Sequence, residues 1–299
     1  MRTRKRVSAL NTQRVLESGG SLERWGLIAG RGLLPLEAAK GMRMMGISPV
    51  ILGLKEEADP ALTEALAQAG FPVAWESLGQ LGAIRRFFQE QEVRKVVMAG
   101  SVGKKVVLTG LEMDEDLVAL LAGLPVKHND AMLVAFAEYF EKHGIEVEKQ
   151  TTVLSHLLPG KGCLTKRVPT AREEADIRLG YRTAKEVAGL NIGQSVVVKN
   201  GMILAVEAID GTDATILRGG QLVGGGAVVV KVANPRQDLR FDLPVIGPST
   251  LAAVIQSRTA VLAFEAASTF LLEKETTIAR ADAEGISLVA LDEDFSRAR

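Results

Sequence analysis

Hydrophobic and polar positions alternate between two rhythms along this chain. The run "WGLIAG", residues 25–30, is short, apolar and closed by glycine, the pattern of a buried strand. "RGLLPLEAAKGMRMMG" follows, with Leu34, Ala38, Met42 and Met45 at helical spacing, and "SPVILGL" is a second strand. Strand, glycine turn, helix, strand is a βαβ opening. Helical spacing returns in "LGQLGAIRRFFQEQEV", which leads into the strand "RKVVMAG", and again over 113–123 and 129–143. The alternation predicts an α/β fold, with a parallel sheet covered by helices on both faces.

The rhythm breaks between about 150 and 170. "LLPGKGCLTKRVPT" interleaves two prolines and two glycines with basic residues and reads as a connector. A long helix is predicted from Ala171 to Gly189, with Thr170 at its cap and Glu173 as the capping-box partner. In "QSVVVKNGMILAVEA" two apolar runs flank Asn200-Gly201, the favoured pair for a tight hairpin. "GAVVVKVAN" is a further strand, and "GPSTLAAVIQSR" is a helix with Ser249 or Thr250 at its start. "AVLAFEA", a helix near 274–284, and "GISLVAL" complete a second βαβ-like unit. The expected organisation is a basic tail over 1–23, a domain over 24–155 and a second α/β domain over 156–299.

Composition narrows the partners. Lys+Arg and Asp+Glu both number 36, so no global field favours nucleic acid. Aromatic residues are only 4%, too few for a base-stacking surface. One cysteine, Cys163, forbids an internal disulfide and fits a reducing, cytoplasmic compartment. No apolar run approaches the roughly 18 residues of a transmembrane helix. The N-terminus carries Arg2, Arg4, Lys5 and Arg6 and lacks the apolar centre of a secretory signal. It reads as a solvated tail, with the capacity to touch an anionic membrane face weakly and reversibly. The cluster Met42, Met44 and Met45 reads as core, and a homodimer is left open.

Three stretches can carry chemistry. In "IAGRGLLP", residues 28–35, a strand ends, glycines follow and a helix begins, which suits a phosphate or a plain βα turn equally. In "VEAIDGTDAT", Glu207, Asp210 and Asp213 lie within seven residues around Gly211, as hard oxygen ligands for Mg²⁺ or as a solvated turn. In "NPRQDLRFDLPVIGPST", residues 234–250, Pro244 biases Leu243 away from helix and leaves Asp242 in a turn or extended segment. A carboxylate there, beside Arg236 and Arg240, is a water-orienting base, a metal ligand or part of a surface ion-pair cluster. His128, His143 and His156 lack the spacing of a helical zinc pair and read as structural.

These motifs occur together, in one order. "GLIAGRGLLP" at 26–35, "NDAML" at 129–133, "NIGQSVVV" at 191–198, "AVEAIDGTDA" at 205–214 and "RFDLPVIGP" at 240–248 resemble the LpxI-type UDP-2,3-diacylglucosamine pyrophosphatases of lipid A biosynthesis. The resemblance runs from about residue 24 to the end. It implies a Rossmann-like N-terminal domain and a second α/β domain, with the nucleotide-lipid between them and its acyl chains enclosed. It implies hydrolysis of UDP-2,3-diacylglucosamine to UMP and 2,3-diacylglucosamine 1-phosphate, with Mg²⁺ or another divalent metal required. It places the key catalytic aspartate at Asp242; the chemistry of a diphosphate makes Asp213 and Glu207 the next candidates for metal or water, with Asp242 and Asp213 as the expected metal ligands. Substrate contacts fall to Gly30, Arg31, Gly32, Leu33, Asp130, Thr212, Lys231 and Arg240. The membrane contact it implies is transient, at the inner-membrane surface.

The chain departs from the family pattern in places. Arg31 interrupts the usual run of glycines, where it adds a phosphate contact or narrows the pocket. His128-Asn129 precede Asp130, and Lys104 and Lys105 follow "AGS". Two other classes compete. A nicotinamide-dependent oxidoreductase would use Glu56 or Glu57 at the end of the second strand, but the glycine spacing is wrong for it. A non-catalytic nucleotide-lipid carrier would bind the same substrate and release it unchanged.

Overall fold

The computed structural model describes residues 23–102, 111–124, 129–292 and 295, and of Asn129 and Asp130 the backbone. The basic segment up to residue 22, Lys104, Lys105 and His128 lie outside the described residues. The chain divides into two compact units between Val153 and Leu154.

In the first unit, strands β1 (Arg24–Ala29), β2 (Ser48–Leu54), β3 (Val73–Glu76), β4 (Lys95–Ala99) and β5 (Glu146–Val147) form one sheet in the order β3-β2-β1-β4-β5. Every pairing in it is parallel. The chain winds outward from β1 in one direction, then returns to β4 on the other side, which is the Rossmann-like doubly wound order. Helices α1 (Leu34–Met44), α2 (Pro60–Gln68), α3 (Leu81–Glu90), α4 (Glu115–Ala122) and α5 (Asn129–Lys142) belong to this unit. Buried Leu27, Ala38, Met42, Phe88 and Val96 belong to its core. The methionine cluster splits: Met42 is fully buried, whereas Met44 and Met45 are 66% and 50% exposed. Met44 stands about 200° around the helix from Met42, on the opposite face, and Met45 keeps the spacing of the stripe but is the C-cap, where the helix has ended.

The second unit follows a short helix α6 (Gln150–Leu154). Its strands are β6 (Gly162–Cys163), β7 (Ser195–Lys199), β8 (Met202–Val206), β9 (Val228–Lys231), β10 (Val245–Ile246), β11 (Val261–Glu265), β12 (Phe270–Leu271) and β13 (Ser287–Leu291). Six of them form a sheet in the order β6-β13-β11-β9-β7-β8, and β10 and β12 pair separately. Strands β9, β11 and β13 are parallel. Strand β7 is antiparallel to both β8 and β9, so β8 points the same way as β9.

Alternation along the valine-rich strands builds two cores. Val196, Val198, Val228 and Val230 face Ile177, Tyr181 and Ala184 of α7 (Ala171–Gly189). Val197 and Val229 face Ile216 of α8 (Thr212–Val223) together with Leu251 and Val254 of α9 (Pro248–Gln256). Each such side chain contributes about 1.5–3 kcal/mol on full burial. Glycine sets the approach of α8, because a Cβ on Gly219 would stand 2.6 Å from Val197 Cγ1. The last helix is α10 (Lys274–Ala283).

Local signals act as expected at two places. Thr170 and Glu173 form the capping box of α7. Asn200 and Gly201 take φ of 52° and 75°, the left-handed pair of a tight hairpin, and Asp176 accepts both of their N–H groups at 2.8 and 2.7 Å. The start of α9 differs from the expectation. Gly247, not Ser249 or Thr250, is its N-cap, because Pro248 occupies the first turn.

Candidate active site

Strands β8, β9 and β11 end on the same edge of the C-terminal sheet, since all three run in one direction. Register there sets Lys231, the last residue of β9, between Ser195 of β7 and Phe264 of β11. Lys231 is only 8% exposed. Its Nζ donates to Thr212 Oγ1 at 3.0 Å, and Thr212 Oγ1 donates to Glu207 Oε1 at 3.0 Å. Glu207 Oε2 accepts the Gln194 N–H at 3.2 Å. Burial pushes the Lys231 ammonium below the usual lysine range, and the charges of Glu207, Asp213 and Asp242 oppose that push. Three carboxylates from two stretches of sequence thus share one field around a buried cation.

The neighbouring groups are fixed by helix starts. Asp213 lies in the first turn of α8, and Ser249, in the first turn of α9, donates to its Oδ2 at 2.8 Å. The hydroxyl expected to cap α9 therefore holds a site carboxylate instead. Gly211 and Gly247 occupy the two N-caps, with no capping side chain. Gly211 sits at φ 83°, which favours glycine.

Asp242 lies between Phe241 and Leu243, each 4% exposed, while its own side chain is exposed. Its φ of 58° is left-handed. Such a conformation costs about 1–2 kcal/mol in most L-residues and is best tolerated in Asp and Asn. The twist seats both apolar neighbours inside and presents the carboxylate outside. Arg240 forks onto Asp238, with Nε to Oδ1 at 3.1 Å and Nη2 to Oδ2 at 2.8 Å. Arg236 donates to the Gly189 carbonyl at 3.3 Å. These contacts brace the loop itself.

Asp210 does not join the cluster. It accepts the Ala208 N–H at 3.1 Å and pairs with Arg218 at 3.0 Å, and these bonds hold its pKa below the usual carboxylate range. The turn at Gly211 separates it from Asp213. Among the described residues no three His, Cys, Asp or Glu side chains are grouped to hold a metal ion. Mg²⁺ commonly uses one or two carboxylates together with substrate phosphates, so the donor pair Asp213 and Asp242 fits it chemically.

In the first unit, the Gly30–Leu33 turn sits at the carboxyl end of β1. Gly30 N–H donates to the Ala99 carbonyl at 2.9 Å, and Arg31 and Ser101 exchange both backbone bonds at 2.8 and 3.0 Å. A Cβ on Gly30 would stand 2.6 Å from the Ser101 carbonyl oxygen, so this glycine serves the junction of β1 with the segment after β4. Gly32 takes φ 91° and Leu33 is the N-cap of α1. Arg31 pairs with the buried Glu57 at 2.9 Å, which anchors the turn to the segment after β2. Asp130 lies in the first turn of α5, and its side chain lies outside the described residues.

Sequence reasoning did not find Ser249 as a partner of Asp213. Its signal, a serine after Gly-Pro, reads locally as a cap, and its partner lies 36 residues away. Comparison with known proteins adds an independent line. The LpxI N-terminal domain profile matches residues 24–157, and the LpxI C-terminal domain profile matches 160–289. The UDP-2,3-diacylglucosamine pyrophosphatase LpxI of Caulobacter vibrioides is 32% identical over 282 residues, covering 91% of this chain and 98% of that protein. With both domain profiles matched in order and this identity sustained across nearly the whole length, the chain belongs to the LpxI family.

Proposed function

We propose that this protein hydrolyses the diphosphate of UDP-2,3-diacylglucosamine, giving UMP and 2,3-diacylglucosamine 1-phosphate, in lipid A biosynthesis. The activity stated for the Caulobacter relative supports the substrate. The observation in this chain that carries the reading is the buried Lys231 ammonium flanked by Glu207, Asp213 and Asp242 on a carboxyl sheet edge. Edges of this kind are where open α/β sheets bind ligands.

A diphosphate repels an attacking oxygen until its charge is offset and the water is held in line. Lys231 supplies a cation already fixed by Thr212. Asp242, exposed on a strained turn, accepts a proton from the water or shares a cation with Asp213. Ser249 keeps Asp213 oriented, and Glu207 keeps Thr212 oriented. A divalent ion such as Mg²⁺, held by Asp213, Asp242 and phosphate oxygens, would neutralise charge that Lys231 alone leaves. The water's oxygen joins one phosphorus, and the bond from that phosphorus to the bridging oxygen breaks. The Gly30–Leu33 turn is the nucleotide-side element of this reading. No helix among the described residues is long and apolar enough to cross a membrane, so contact with the lipid surface is peripheral in this proposal.

The test is UMP release from UDP-2,3-diacylglucosamine with Mg²⁺, with EDTA, and in Asp242→Ala. The parent releases UMP, EDTA stops it and the variant nearly loses it. A parent that binds the lipid tightly yet yields no UMP overturns the reading in favour of a carrier. Isotope-labelled water identifies the phosphorus attacked.

A further inference from the structure

Glu265, the last residue of β11, is 4% exposed and belongs to no group discussed so far. It accepts four hydrogen bonds. Oε1 receives Tyr181 Oη and Lys185 Nζ, each at 2.8 Å. Oε2 receives the Ala233 N–H at 2.7 Å and Ser268 Oγ at 3.3 Å. Lys185 Nζ also donates to the Ala233 carbonyl at 2.9 Å. One residue, Ala233, is thereby held at both its N–H and its C=O by side chains from β11 and α7.

The location gives the contact its meaning. Ala233 stands two residues beyond Lys231, where the chain leaves β9 and begins the segment that carries Asp242. A strand leaving a sheet usually surrenders its backbone bonds to water. Here the buried Glu265 carboxylate and the partly buried Lys185 ammonium take them. Buried ion pairs are weak sources of stability, because desolvation offsets most of their attraction. What they add is a fixed arrangement of the groups they bind.

We propose that Glu265 is a positioning residue for the hydrolysis: with Lys185 it clamps Ala233, and so sets the exit of β9 that places Lys231 and the Asp242 segment. The proposal rests on the pyrophosphatase reading. Glu265 must accept at both oxygens, so the isosteric amide is disruptive, since its NH₂ group faces donors.

The experiment compares the full-length parent with Glu265→Gln and Tyr181→Phe, the latter removing a single donor. Hydrogen exchange is followed over 232–244, and UMP release is measured well below each protein's melting temperature. Exchange over 232–244 rises in Glu265→Gln while β9 and β11 stay protected. Its kcat falls about 10–100-fold with KM within about threefold, in keeping with a small misplacement of reacting groups. Tyr181→Phe shows the same pattern at smaller scale. Combined with Asp242→Asn, Glu265→Gln costs less than about threefold more, because the two act through one group.

Unchanged exchange over 232–244 overturns the proposal. So does exchange rising across the whole sheet, which marks a purely structural role, or a loss that multiplies in full with that of Asp242→Asn. A parent that releases no UMP sinks the pyrophosphatase reading instead, and the exchange measurement still decides whether Glu265 holds the segment.

Discussion

Asp242 is where backbone strain meets the proposed chemistry. Its left-handed φ is tolerable for Asp and Asn, poor for most side chains and worst for β-branched ones. Charge and conformation are therefore separable by substitution. Asp242→Asn keeps the turn and removes the carboxylate, so UMP release falls by about 10²–10³-fold, the scale of one preorganised polar group. Its melting temperature stays within a few degrees of the parent. Asp242→Val loses the same activity and a further 1–2 kcal/mol or so of stability. Thermal unfolding and UMP assays on the two variants check this. Equal melting temperatures for Asn and Val would mean the turn stores no strain. Lys231 argues the same way from the other sign. At the end of "VVVK" it looks like a strand running out to solvent, yet register between Ser195 and Phe264 keeps it inside.

Among the elements, those specified by neighbours in sequence were legible and those specified at a distance were not. The capping box at Thr170, the Asn200-Gly201 hairpin and the α7 span follow from residues within a few positions of each other. The bonds from Ser249 to Asp213 and from Arg31 to Glu57 join separate elements, and no local pattern announces them. The same division separates Asp210 from Asp213, which sit three residues apart but on opposite sides of a glycine turn. Helix α8 gives a test at this scale. An alanine at Gly219 would press Cβ against Val197 and lift the helix that carries Thr212 and Asp213. Overpacking of this kind costs about 1–3 kcal/mol. Thr170→Ala costs about 0.5–2 kcal/mol by removing a cap. The two variants thus lose comparable stability, but Asp176 ties the early part of α7 to the hairpin turn, at the opposite edge of the sheet from Lys231. Well below their melting temperatures, Thr170→Ala retains parental kcat and Gly219→Ala falls at least about tenfold. Equal kcat in both would show that the position of α8 is irrelevant to turnover.

At the scale of the whole molecule, the balanced charge of 36 basic and 36 acidic residues gives no general attraction to an anionic substrate or surface. Around Lys231 the carboxylates of Glu207, Asp213 and Asp242 outnumber the one ammonium, an excess of negative charge that the divalent cation of the proposed reaction would offset. The peripheral contact proposed above would draw on an unbalanced segment, and the sequence has one in Arg2, Arg4, Lys5 and Arg6. Each basic residue near an anionic bilayer contributes about 1 kcal/mol, and the effect decays within a Debye length of about 8–10 Å at moderate salt. Four such residues would hold the protein weakly and reversibly. The protein therefore co-sediments with vesicles containing roughly one-third anionic lipid at low salt, and leaves them as salt approaches about 1 M, where the screening length falls to about 3 Å. Removing residues 1–22 abolishes this binding and leaves kcat on detergent-dispersed substrate unchanged, since the site lies elsewhere in sequence. Co-sedimentation that survives both high salt and the deletion would move the membrane contact from the basic segment to the folded units.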